Sequence, residues 1–124
     1  MYKIFLIGIA GLAGTLARYS LSGWADRWWG GTFPFGTMIV NLIGCLAIGF
    51  LFHATEEKYL IDPAVRSAVL VGFLGGFTTF SSFAVQSFNL LRDGEAFLAS
   101  ANILVSNILG LILVWIGYAI SRAV

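Results

Sequence analysis

Gly72-Phe73-Leu74-Gly75-Gly76-Phe77-Thr78-Thr79-Phe80-Ser81-Ser82-Phe83 lies inside a run with no charged residue, from Ser67 to Leu91. A helix needs about 20 mostly apolar residues to cross a bilayer core, and this run is long enough. Its middle is nevertheless poor helix material. Each glycine of the pair costs about 1 kcal/mol against alanine, and the two threonines that follow are β-branched. The segment reads as a membrane helix broken near the bilayer midplane, with Thr79 or Ser81 capping a fresh start. In lipid such a break is tolerated only where protein or water satisfies the freed backbone groups. It would offer carbonyls to a cation and helix-end amides to an anion. Close packing through small residues is the alternative use of the same glycines.

Outward from this stretch, three more windows are long and apolar enough to span. The four run over about 4–25, 35–55, 67–91 and 96–121, and together they make one all-α domain over residues 1–124. Only 10% of the chain is charged and 59% is hydrophobic, so thirteen acidic and basic side chains cannot cover a water-soluble surface. The solvent is therefore lipid. Lys3 ahead of the first window resembles the start of a signal peptide, but three further spans follow, and the window is kept as a helix. The connections hold nearly all the charge: Asp26 and Arg27, then Glu56, Glu57, Lys58 and Asp62, then Arg92, Asp93 and Glu95. Trp24, Trp28, Trp29 and Tyr59 stand beside those charges, at headgroup level.

An even number of spans puts both termini on one side, with Lys3, Lys58, Arg66 and Arg122. Arg27 and Arg92 fall on the other, joined by Arg18 if it snorkels that way. So small a difference gives little orientation by the positive-inside rule. A dual-topology, antiparallel homodimer is the expected assembly. A net charge of +1 offers nothing to nucleic acid.

Polar residues inside spans carry the chemistry, because an unpaired polar group in hydrocarbon costs several kcal/mol. Asn41 lies in the second span. The third carries Thr78, Thr79, Ser81, Ser82, Gln86 and Asn89. Asn102 and Ser106 share a face of the fourth, continued by Gly110, with Asn107 off that face. Such residues also glue helices together. No Asp or Glu falls within the four windows, which removes a proton-coupling carboxylate and a side-chain cage for a divalent cation. Neutral hydroxyl and amide donors suit a small anion shedding water. Arg18 either adds positive potential or snorkels to the interface. Phe80 and Phe83 are neighbours on one helical face; their ring edges could meet an anion, or the rings could simply be apolar bulk. Gly8, Gly11 and Gly14 fit helix packing, and the single Cys45 fits a small buried hydrophobe.

Three stretches jointly carry a resemblance. They are Gly11-Leu12-Ala13-Gly14-Thr15-Leu16-Ala17-Arg18-Tyr19, Gly36-Thr37-Met38-Ile39-Val40-Asn41-Leu42-Ile43-Gly44, and the Gly75–Phe83 portion of the opening segment. With them the chain resembles, over essentially its whole length, the CrcB or Fluc family of small bacterial fluoride channels. The resemblance implies passive fluoride export through the inner (plasma) membrane, fluoride resistance, and two pores along the interface of an antiparallel homodimer. It also implies a structural Na⁺ on the two-fold axis, bound by the backbone carbonyls of Gly75 and Thr78. By position Asn41 would be a pore amide, Phe80 and Phe83 the rings facing the anion, and Ser106 a pore hydroxyl, with Thr79 and Ser82 beside the path. Ser82 replaces the usual Thr and keeps its hydroxyl; Asn102 stands where many members have Tyr.

Two other classes fit the outline less well. A proton-coupled exporter needs a carboxylate on the first span, and none is there. A non-conducting membrane subunit or chaperone-like interaction protein would be excluded by fluoride efflux from liposomes holding only this protein. An enzyme is not expected: His53, the only histidine, reads as an interfacial residue without a nucleophile or metal partner in the membrane.

Overall fold

The computed structural model describes residues 1–124. It is entirely helical. Helix α1 spans Tyr2–Trp29 and α2 spans Phe35–His53, continuing into a π-helical turn over Ala54–Lys58. The third span is assembled from α3 (Pro63–Ser67), a π-helical stretch (Ala68–Phe73), α4 (Leu74–Phe77) and α5 (Phe80–Arg92). Helix α6 spans Ala96–Ala123. Four helical runs are long and apolar enough to cross a membrane: Tyr2–Trp29, Phe35–Lys58, Pro63–Arg92 and Ala96–Ala123.

These runs exceed the windows read from sequence, and the reason is geometric. At 1.5 Å per residue a 28-residue helix is about 42 Å long, against about 30 Å of hydrocarbon. Charge marks where the apolar core ends, whereas the helix continues beyond it. Asp26 and Arg27 therefore belong to the last turn of α1, and Glu56, Glu57 and Lys58 to the turn after α2, instead of to loops. Asp26 also accepts from the Gly36 amide at 2.8 Å, neutralising the start of α2. The third span begins at Pro63, four residues before the expected 67. Asp62 caps it, its carboxylate accepting from Ala64 at 2.8 Å and Val65 at 3.3 Å, with Pro63 in the first helical position. Arg66 pairs with Glu56 across the connection.

Two parallel helix pairs make the scaffold. Helix α1 runs alongside the first half of the third span. A Cβ at Gly76 would come within 2.5 Å of the Gly11 carbonyl, and one at Gly72 within 2.6 Å of the Ile7 carbonyl. Helix α2 runs alongside α6, where Gly49 meets the Val114 backbone and Gly117 the Leu46 and Phe50 backbone. Small residues allow this approach where no hydrophobic force drives helices together. Gly11 and Gly14 serve the α1 seam as expected. Gly8 does not: nothing lies within 4 Å of its Cβ direction.

Polarity is inverted relative to a soluble protein. Ile4, Phe5, Leu12, Leu16, Leu104, Leu111 and Trp115 are exposed, while Asn102 and Ser121 are about 1% accessible. Such a surface belongs in lipid. Cys45 is half-buried and lines a cavity, so it is less enclosed than the small buried hydrophobe expected. His53, expected at the interface, is the last residue of α2. Its Nδ1 lies 2.9 Å from the Ser121 hydroxyl and its Nε2 3.7 Å from Glu57, tying α2 to α6. Ser121 is too buried to meet a substrate, and the trio is an inter-helix clasp.

Candidate ion pathway at the break in the third span

The chain leaves helical geometry for two residues. Thr78 has φ −95° and ψ 160°, and Thr79 has φ −151° and ψ 116°. Thr79 is the cap of α5, its Oγ1 accepting from the Ser82 amide at 3.3 Å. Of the two caps the sequence allowed, the threonine is used. The break lies inside an apolar span, so its backbone groups need partners from elsewhere.

Asn41 supplies them. Its Oδ1 accepts from the Thr79 amide at 2.8 Å, and its Nδ2 donates to the Thr79 carbonyl at 3.0 Å. One side-chain amide thus replaces both ladder bonds that Thr79 lost. From the other side, Arg18 Nε donates to the Gly76 carbonyl at 3.0 Å. Arg18 is half-buried there and does not line the cavity; it sets a positive charge against the carboxyl end of α4.

In front of the break is an open cavity of about 380 Å³. Asn41, Gly44, Cys45 and Ile48 come from α2, and Leu70, Leu74, Gly75 and Thr78 from the third span up to the break. Thr79, Phe80, Phe83, Ser106 and Asn107 complete it. Of the residues singled out by sequence, Asn41, Gly75, Thr78, Thr79, Phe80, Phe83 and Ser106 are brought together. Ser82, Asn102 and Arg18 stand behind the wall. Asn107, placed off the polar face in the sequence reading, lines the cavity. Its rotation of about 100° from Ser106 still points into so wide a mouth.

The donors are unequal. Thr78 Oγ1 is engaged with the Leu74 carbonyl at 3.0 Å, and Asn107 Nδ2 with the Ile103 carbonyl at 2.7 Å. Thr79 Oγ1 donates to Ser82 Oγ at 3.0 Å. Asn41 keeps a second N–H, since an amide carries two. Ser106 Oγ makes only a 3.5 Å contact to Asn102 Oδ1. The Phe80 and Phe83 rings have centroids 5.6 Å apart at 45°, with Phe80 78% exposed. No carboxylate lines the cavity. The arrangement can offer N–H, O–H and ring-edge contacts to an anion.

The family model described as CrcB-like protein, Camphor Resistance (CrcB), matches residues 5–118. The chain belongs to the CrcB family. Its relatives include proteins named fluoride-specific ion channel FluC from Geotalea daltonii and Nitrosococcus oceani. Each is 43% identical over 122 residues, covering 98% of both chains. A protein of the same name from Nitratidesulfovibrio vulgaris is 44% identical over 128 residues, covering both chains fully. This member of the CrcB family is a multi-pass membrane protein and not an enzyme.

Proposed function

We propose that the chain is a fluoride-specific channel that lets fluoride leave the cell passively and so lowers its cytoplasmic concentration. The carrying observation is the break at Thr78–Thr79, held by Asn41 and facing a cavity lined with neutral donors. Fluoride binds water tightly, so a path must replace that water with hydrogen bonds without holding the ion as a fixed charge would. Asn41 and Ser106 give it N–H and O–H groups, with Thr79 and Ser82 as the hydroxyl pair beside the path. Phe80 and Phe83 give ring edges. Asn102 and Arg18 act from behind, on the Ser106 hydroxyl and on the potential at the break. The names of the relatives support the same ion.

The functional unit is an antiparallel, dual-topology homodimer in the inner membrane, each chain one four-helix channel domain over residues 1–124, with two pores. Phe80, 78% exposed beside a cavity open on one side, is what a second copy would cover. A structural Na⁺ at the dimer centre fits the groups present. The carbonyls of Gly75 and Thr78 are neutral oxygens at a helix carboxyl end, where partial negative charge collects. Nothing lies within 4 Å of the Cβ direction at Gly75, so the backbone there is approachable. Two carbonyls per chain need the second chain's pair to enclose an ion. Such an ion would tie the two chains together at the break.

Expression in a bacterium that lacks its own fluoride exporter tests the proposal. Growth at a fluoride concentration that arrests the parent strain is the expected result. Arrest despite a protein correctly inserted in the membrane would overturn it.

A further inference from the structure

Four hydroxyls of this chain bond back to their own helix. Thr55, Ser67, Thr78 and Ser87 donate to the carbonyl four residues earlier at 2.7–3.0 Å. In a water-free core this is a favourable resting place for a hydroxyl hydrogen. Ser106 does not use it. Its Oγ reaches the side-chain oxygen of Asn102, one turn back, at the long distance of 3.5 Å.

That oxygen is held in place by a directed series of bonds. Asn102 is about 1% accessible and donates from Nδ2 to Ser87 Oγ at 2.9 Å. Ser87, about 5% accessible, sends its own hydrogen to the Phe83 carbonyl at 2.8 Å. The hydrogen of Ser87 being occupied, its oxygen can only accept from Asn102, which fixes the amide with Oδ1 turned toward Ser106.

We infer that Ser87 and Asn102 are positioning residues for the anion path, a relay that keeps the hydroxyl hydrogen of the cavity-lining Ser106 on a weak, easily exchanged acceptor behind the wall. The inference rests on the channel reading above. A hydroxyl whose acceptor oxygen lies 3.5 Å away turns its hydrogen to an arriving anion at little cost. Without the relay, Ser106 falls back onto the carbonyl of its own helix, as Thr55, Ser67, Thr78 and Ser87 do, and the anion must displace a stronger bond. Neither Ser87 nor Asn102 touches the ion.

The test is fluoride efflux from liposomes over a series of internal fluoride concentrations. Ser87→Ala and Asn102→Leu should each raise the half-saturating concentration about three- to tenfold, as the difference of one neutral hydrogen bond allows. Their maximal flux should change less. In a Ser106→Ala background neither change should raise the half-saturating concentration further. A conducting wild type with unaltered half-saturation in both variants would overturn the relay alone. So would effects that add in full to Ser106→Ala, because these would mark a packing role. A wild type that passes no fluoride would overturn the channel reading, and the relay with it.

Discussion

Asn41 does two things with one side chain. It closes the hydrogen bonds of a broken backbone and leaves one N–H toward the cavity. Asn41→Asp keeps an oxygen for the Thr79 amide but loses both donors and adds a negative charge. Losing hydrogen bonds to a charged ligand costs about 1.5–3 kcal/mol, so fluoride flux should fall roughly 10- to 150-fold. Normal flux in reconstituted Asn41→Asp would place this residue off the path. Phe80→Ile or Phe83→Ile removes a ring edge while keeping apolar bulk. Each should reduce flux greatly while leaving the assembled protein intact on size exclusion, and unchanged efflux in both would reject the ring role. That Asn41 matters was legible, since an amide in a span needs a reason. Its partner was not, because Thr79 lies 38 positions away and only the fold brings it near. Gly75 and Gly76 show the same limit. Identical letters side by side, one faces open space and the other the backbone of α1.

At the scale of elements, the break was readable because local propensity and span length disagree: a run long enough to cross has a middle that resists helix. The ends were less readable. Charge density reports the edge of the hydrocarbon, but caps and the helix ladder decide where a helix stops. The Asp62-Pro63 pair is the start signal that places the beginning of the third span ahead of residue 67. Asp62→Ala should destabilise the protein by about 1 kcal/mol, seen as a small drop in the thermal transition in detergent. Two glycine substitutions should behave oppositely. Gly8→Ala, in open space, should be neutral or raise stability by up to about 1 kcal/mol through helix propensity. Gly76→Ala should lower thermal stability, because the new methyl meets the Gly11 carbonyl and Thr15. Equal transitions for the two variants would show that the α1 seam is not tightly packed.

For the whole molecule, composition alone fixed the solvent, and the buried positions of Asn102 and Ser121 agree with it. Assembly is a different matter, because a single chain's letters record a partner only as an unexplained exposed surface. Weak charge asymmetry predicts insertion in both orientations. Reporters fused to the carboxyl terminus should give signal from both sides of the membrane. Signal from one side only would reject the antiparallel arrangement, along with the Na⁺ site and paired pores that depend on it.

On this reading an unwound stretch at Thr78–Thr79, lined with neutral donors, selects and passes a small hydrated anion. Purified protein in liposomes loaded with equal fluoride and chloride, read by electrodes for each ion, addresses it directly. Fluoride should leave while chloride stays inside. Retention of both ions, or their release at similar rates, would contradict the account.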